Sequence, residues 1–411
     1  MDVSFDGVRW AEHSLHTSSF PTDQFSLLPS HSSKSEYLLI PGFLDVHVHF
    51  REPGFSYKET ILTGTMSAAR GGYTKVCAMP NLNPAPDCLE HVKMQQDLID
   101  AQAIVHVYPY GCITKGQKGE GDLCDFPSLK DKVIAFSDDG KGVQREELMR
   151  SAMQEIAKVD GMLVAHCEDE SLLTPGGAIH EGEFAKKHGI KGISSATEYA
   201  QIARDVKLSK ETGCRYHVCH ISTKESVEII RQAKKEGVDV TCETAPHYLL
   251  LNEGDMQLDG RFKMNPPIRT KADQEALLEG LIDGTIDMIA TDHAPHSVEE
   301  KSKGLANSAM GIVGLETAFP LLYTGLVMKN IITLERLLEA MILTPHKRFR
   351  LPLCDVLSDK AEEFSIFDLS TKTIINPDDF LTKGRATPFT GHEVNGECLY
   401  TYCGGKVAWQ K

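Results

Sequence analysis

The feature that most constrains this chain is an alternation that begins at Tyr37 and continues to about Thr344. Short β-rich apolar runs take turns with longer amphipathic or polar stretches. The runs are LLIPGFLDVHV, TKVCAMP near Thr74, IVHVYPYG near Ile104, VIAFSDDG near Val133, MLVAHCE near Met162, RYHVCHIS near Arg215, VDVTCETAPH near Val238 and TIDMIATDHAPH near Thr285. Segments such as YKETILTGTMSAARGG and ESVEIIRQAKKEG lie between them, each closed by Gly as helices commonly are. Strand-then-helix units in series predict parallel strands joined by crossovers, and eight such units close a (β/α)8, TIM-like barrel. An open doubly wound sheet is the alternative, but no Gly-rich phosphate fingerprint follows the first run. Polar residues instead cluster at the C-terminal end of nearly every run, where barrel enzymes carry their active sites.

A chain of 411 residues is long for one domain yet within range for such a barrel with an appendage. The barrel is expected over residues 41–343. Residues 344–411 open with a helix and then hold FSIFDL and GECLYTYCGGKVAWQ, which read as strands of a small β-sandwich-like domain. Residues 1–40, irregular and rich in Ser and His, are expected to complete it. The formal net charge of −15 repels nucleic acid and anionic membrane, so neither is an expected partner. No apolar run approaches the roughly 18–20 residues needed to span a bilayer. The opening MDVSFDGVRWAEHSL lacks the layout of a secretory signal. Several of the 11 cysteines (Cys77, Cys112, Cys219, Cys242) sit in or beside apolar runs, as buried thiols do, and a cytoplasmic location is expected.

The strand ends carry the chemistry. The first ends His47-Val48-His49, and the two-residue period puts both imidazoles on one face. The fourth ends Asp138-Asp139-Gly140, which taken alone reads equally as a turn. The fifth ends His166-Cys167-Glu168. The sixth holds His217 and His220; being three apart they should point to opposite faces, and His220 is the better candidate for the interior. The eighth ends Asp292-His293-Ala294-Pro295-His296, where Asp292 is placed to touch a metal and to carry a proton. A closed barrel would bring these distant positions together, and such a set suits zinc or another first-row metal, with a carboxylate able to lie between two ions.

The segment PGFLDVHVHFREPGFSYKETILTGTMSAARGGYTKVCAMPNLNP resembles the signature of the dihydroorotases of the amidohydrolase superfamily. AFSDDGKGVQ, VAHCEDE, YHVCHIS, FKMNPPIR and IDMIATDHAPH agree with it, so the resemblance covers about nine-tenths of the chain, from Leu38 onward. Many relatives carry a carboxylated lysine at the end of strand four; this chain has Phe136-Ser137-Asp138-Asp139, similar to the class I branch, in which an aspartate takes that place. The resemblance implies metal ligation by His47, His49, Asp139, His166, His220 and Asp292, with Asp138 as the fallback for Asp139. It implies one or two zinc ions, two favoured. Arg51, Asn81 and His296 would grip a substrate carboxylate, while Asn265 and the loop from Gly311 to Gly314 would contact the ring amides. His217 and His247 are expected no closer than the surroundings of the ligands, and Cys167 has no base assigned to it.

The activity so implied is the reversible, zinc-dependent cyclisation of N-carbamoyl-L-aspartate to L-dihydroorotate in pyrimidine biosynthesis, with Asp292 moving the proton. A homodimer and association with aspartate transcarbamoylase are the partner expectations. Two other readings stand beside it: a non-catalytic scaffold for aspartate transcarbamoylase, and a cyclic amidase of hydantoinase or allantoinase type. The chain departs from the family in its irregular start and in Lys347-Arg348-Phe349-Arg350-Leu351, which lacks the usual small residue after the aromatic.

Overall fold

The computed structural model describes residues 26–29 and 36–411, so the expectation for most of residues 1–35 lies outside the described residues. β1 (Ser26–Pro29) and β2 (Glu36–Ile40) form an antiparallel pair. The chain then enters β3 (Phe43–Val48), β4 (Tyr73–Ala78) and β5 (His106–Pro109), which lie side by side in one parallel sheet. β6 (Met162–Ala165) follows, and after it two short strands, β7 (Ile179–His180) and β8 (Gly192–Ile193), pair with each other. β9 (Arg215–Val218), β10 (Val240–Thr244) and β11 (Met288–Ile289) join β6 in a second parallel sheet of order β11-β10-β9-β6.

Isolated parallel bridges connect the two sheets. Phe136 bridges Gly111 on one side and Leu163 on the other, and Val48 bridges His293. The run VIAFSDDG therefore contributes a bridge where an extended strand was expected. The backbone leaves the strand direction at once, with Lys141 N–H closing a turn on the Asp138 carbonyl.

Alternate residues of the parallel strands divide between two cores, as a strand's period of two requires. Cys77, Met79, Met162, Val164, Cys219, Met288 and Ala290 share one cluster with Leu44, Val46, Tyr110 and Phe349. Val76, Ala78, Leu163, Ala165, Tyr216 and Val218 face outward into the larger one, with Val227, Ile230 and Ala233 of the helix Lys224–Lys235. Helices form on this outer side because their apolar residues recur at helical spacing and their ends are capped. Thr60 and Thr63 close the start of the helix Ile61–Arg70 in a capping box.

β12 (Glu363–Ile374), β13 (Glu393–Cys403) and β14 (Lys406–Gln410) complete an antiparallel sheet of order β1-β2-β12-β13-β14, built from both ends of the chain. Among the described residues this unit is one sheet and not the two layers of a sandwich. Its inner face has no second sheet to cover because it is buried against the α/β body. Phe367 packs its ring 4.5 Å from Phe319 and 5.4 Å from Phe43. At this seam a Cβ on Gly72 would lie 2.2 Å from the Phe367 ring, and Gly72 has φ +84°, which side-chain-bearing residues rarely adopt. All 11 cysteines are free, and all but Cys88 and Cys354 are buried.

Candidate metal centre

His47 and His49 leave the end of β3 on the same side, and their rings converge on two carboxylates from other strand ends. His47 Nε2 lies 3.4 Å from Asp139 Oδ1 and 3.6 Å from Asp292 Oδ1. His49 Nε2 lies 3.5 Å from Asp139 Oδ2 and 3.1 Å from Asp292 Oδ1. On the far side of Asp139, His220 Nε2 and His166 Nδ1 stand 3.7 and 3.8 Å from Oδ1 and 3.0 Å from each other. Asp139 thus belongs to two donor sets, one with His47 and His49 and one with His166 and His220. All six predicted ligand positions come together, and all six are buried.

The geometry also separates the two aspartates. Asp138 turns away from the cluster and accepts from Ile113 N–H at 2.8 Å and from the backbone and hydroxyl of Thr114. Only Asp139 faces the imidazoles. The expectation that just one of His217 and His220 faces inward is corrected here. His217 is on the inner face of β9 by its alternation with Cys219, whereas His220 lies beyond the strand with φ +33° and is swung inward by that turn of the backbone. Asp292 at φ +47° and Arg51 at φ +62° occupy the same uncommon region. Such conformations persist only where surrounding contacts enforce them, and here they aim polar side chains at one point.

The cluster fits a cation. Among the buried polar atoms without a hydrogen-bond partner are His47 Nε2, Asp139 Oδ1, His166 Nε2 and His220 Nδ1. His47 donates its Nδ1 proton to Glu243 at 2.7 Å, and a carboxylate anion can only accept. With that proton on Nδ1, His47 turns Nε2 to Asp139 and Asp292, where it can take a cation or a proton. Lone pairs held against carboxylates in a buried site need positive charge between them. The separations of 3.4–3.8 Å around Asp139 Oδ1 are close to the spacing of about 3.4 Å between ligands each roughly 2.1 Å from a tetrahedral zinc. Burial alone would raise the Asp139 carboxyl, but the imidazoles around it, His47 foremost, hold it well below the usual carboxylate range. Asp292 is likewise held low against its burial, by His49 first and then His47.

The residues expected to meet a substrate ring the cluster. Arg51 is buried, and among the described residues it forms no ion pair; its Nε donates to the Pro295 carbonyl at 3.3 Å. Asn81 accepts from His49 Nδ1 at 2.8 Å, so it also fixes that ring. His296 donates from Nε2 to the Met310 carbonyl at 2.8 Å. Burial, Arg51 and Lys58 lower its pKa to about 3, which keeps it neutral. Asn265 donates to Glu168 at 3.1 Å, beside His166. Gly311, with φ +137°, packs where a Cβ would meet Ala294 and His296.

Several residues that build the site escape a reading of strand ends. Lys301 donates to the carbonyls of Lys263, Ala309 and Gly311 at 2.9, 2.8 and 2.7 Å, tying the Asn265 segment to the Gly311 loop. Glu59 lies 3.5 Å from His293 and accepts from Thr382, a residue of the segment between β12 and β13. Glu243 holds both His47 and His217. A charged residue inside the apolar run VDVTCETAPH was the available signal for it. His247 is buried beside the cluster, and burial pulls its pKa down to about 4. Burial pushes the Cys167 thiol far up, which favours its protonated form.

A family model described as Dihydro-orotase-like matches residues 36–226. A dihydroorotase of Bacillus cereus is 51% identical over 376 residues, 91% of this chain and 87% of the relative. One from Bacillus anthracis matches to the same extent. Among solved structures, the L-hydantoinase (dihydropyrimidinase) from Arthrobacter aurescens superposes with a TM-score of 0.79 at 28% identity, covering 91% of this chain and 85% of that one. The dihydropyrimidinase from Brevibacillus agri gives 0.78 at 19% identity, covering 90% and 85%, a likeness of fold alone. No helix among the described residues is long and apolar enough to cross a membrane.

Proposed function

The chain belongs to the dihydroorotase family of cyclic amide hydrolases, and from that premise we propose how its own residues carry the reaction. The reaction is the reversible interconversion of N-carbamoyl-L-aspartate and L-dihydroorotate, a step of pyrimidine biosynthesis. The observation that carries the site assignment is Asp139, whose carboxylate is shared by the His47–His49 pair and the His166–His220 pair. On this reading the centre is of class I type, and His47, His49, Asp139, His166, His220 and Asp292 would hold two zinc ions. Zinc bound there supplies Lewis acidity toward the amide carbonyl and makes water nucleophilic near neutral pH.

The protein's own groups do the rest. Asp292, an anion within reach of both first-strand histidines, takes the proton released by the nucleophile and delivers it to the departing ring nitrogen. In the cyclising direction it starts protonated. Arg51, a buried guanidinium that forms no ion pair among the described residues, binds the carboxylate of the substrate. Asn81 and the neutral His296 flank that group, and Asn265 with the Gly311 loop orients the ring amides. The parallel sheets and their bridges support one closed (β/α)8 barrel over residues 41–343, with residues 1–40 and 344–411 supplying the appended domain. A cytoplasmic homodimer, with or without aspartate transcarbamoylase bound, belongs to the same reading and is checked by light scattering of the chain alone and mixed with that enzyme.

The hydantoinase structures share the fold at lower identity, and the aspartate at position 139 sets this chain apart from relatives that carry a modified lysine there. The scaffold reading would be favoured by lost ligand positions, and all are filled. One spectrophotometric assay on dihydroorotate, with metal analysis of the same sample, decides: turnover by zinc-loaded protein is expected, and zinc-loaded protein without turnover would favour the scaffold.

A further inference from the structure

Beneath the proposed metal centre lies a chain of hydrogen bonds that the reaction itself does not use. Glu243, on β10, is buried and accepts through both carboxylate oxygens. Oε1 takes the Nδ1 proton of His47 at 2.7 Å, and Oε2 lies 2.9 Å from His217 Nε2. His217 Nδ1 meets Thr241 Oγ1 at 2.8 Å. Thr241 is two residues before Glu243 on the same strand, so the period of two sets both on one face. His47 and His217 are fully buried, and Glu243 is 1% exposed.

The proton positions in this chain follow from chemistry alone. A carboxylate anion has no proton to give, so each imidazole beside it must be the donor. His217 is then protonated at Nε2, and its Nδ1 accepts from the Thr241 hydroxyl. His47 is protonated at Nδ1, which leaves Nε2, directed at Asp139 and Asp292, as the atom that can ligate a metal. The triplet is self-satisfied: no atom of Glu243 or His217 is among the buried polar atoms lacking a partner, whereas His47 Nε2 is. The same carboxylate also limits the tilt of the His47 ring, because its second oxygen is fixed by His217 of the neighbouring strand β9. Cys219 lies close enough to His47 and Glu243 to complete a donor set for an ion of its own. The hydrogen bond at His47 Nδ1 already occupies the atoms such an ion would need.

We propose that Glu243, held in place by His217 and Thr241, is a positioning residue that fixes the tautomer and ring orientation of His47 and so sets the metal affinity of the centre. This deepens the site assignment made above and rests on it only for the affinity. The hydrogen bond from His47 Nδ1 to Glu243 is a property of the protein without metal. Partners of this kind behind a ligating histidine typically carry a 10- to 100-fold effect on metal affinity.

The test reads both quantities and needs no turnover. Long-range nitrogen–proton NMR of the metal-free protein is expected to show a proton on His47 Nδ1, in its hydrogen bond to Glu243. Glu243→Gln offers one acceptor to two donors and should give a mixed or reversed tautomer, with zinc affinity by chelator competition weakened at least several-fold. Glu243→Met removes both acceptors and should weaken zinc by about 10- to 100-fold. Circular dichroism accompanies each variant; if Glu243→Met does not fold, Glu243→Gln and His217→Gln carry the test, the latter expected to weaken zinc by a smaller factor. A His47 Nδ1 that carries no proton in the metal-free protein would overturn the proposal, as would folded Glu243 variants that bind zinc as the unaltered chain does. Loss of dihydroorotate turnover with the tautomer intact would instead count against the functional reading.

Discussion

Asp292 and Arg51 divide the proposed chemistry between proton transfer and substrate binding, and each makes a separable prediction. In Asp292→Ala the four imidazoles and Asp139 remain, so zinc measured by mass spectrometry should be largely retained. The rate constant for turnover should fall by about 10³ or more, at the upper end of what a positioned acid–base group contributes. Turnover within tenfold of the unaltered chain would remove Asp292 from the proton path. Among the described residues Arg51 is buried without an ion pair, an arrangement that costs free energy unless an anion arrives. Arg51→Ala should therefore raise KM by roughly 10- to 100-fold, the usual scale for losing hydrogen bonds to a charged group, with a smaller change in kcat. An unchanged KM would take Arg51 out of the binding site. Asp292 was legible in the sequence from its place at the end of a strand, and Arg51 from the family resemblance. Glu243 was not, because its importance depends on which rings reach it from β3 and β9.

At the scale of elements, the seam between the antiparallel sheet and the α/β body rests on Gly72, between the helix Ile61–Arg70 and β4. Its backbone is in the left-handed region, and the Phe367 ring fills the space a side chain would take. Gly72→Ala should lower unfolding stability by about 2–4 kcal/mol, from backbone strain and overpacking together. Urea denaturation checks this; a loss under about 0.5 kcal/mol, the range of surface substitutions, would mean that Phe367 moves aside freely. The order and spacing of the parallel strands were readable from apolar runs, since burial on both faces leaves unbroken hydrophobic text. The strand containing Phe136 was overread: Ser137 N–H still bonds to the Gly111 carbonyl, but the chain then turns to put Asp138 on the Thr114 backbone. Likewise the spacing of His217 and His220 implied opposite faces, which holds only while the backbone stays extended.

The whole molecule carries buried neutral histidines whose titration opposes folding in acid. His346 donates from Nδ1 to the Ile342 carbonyl at 2.7 Å, and burial, with Lys75 nearby, lowers its pKa to about 4. An unfolded histidine titrates near 6.5, so between about 6.5 and 4 the unfolded chain binds the extra proton and the folded one does not. Stability is therefore fully present above pH 6.5 and is lost as pH falls toward 4. His247 acts in the same direction. His346→Gln, distant from the metal centre, should flatten this dependence by about 1–3 kcal/mol across that window. Urea midpoints at pH 7.5 and 5 measure it, and equal acid sensitivity in the two chains would exclude His346 as a source. By itself the sequence determined the alternating strands, the class of the site and the identity of the polar groups at the strand ends, because these follow from local periodicity and residue chemistry. Only the tertiary structure decided that Asp139 and not Asp138 faces the histidines, that His217 and His220 both turn inward, and that Glu243 and Thr382 support the site. Those choices depend on where the backbone leaves the strand and on what packs across the interior from other strands, and neither is encoded in local spacing.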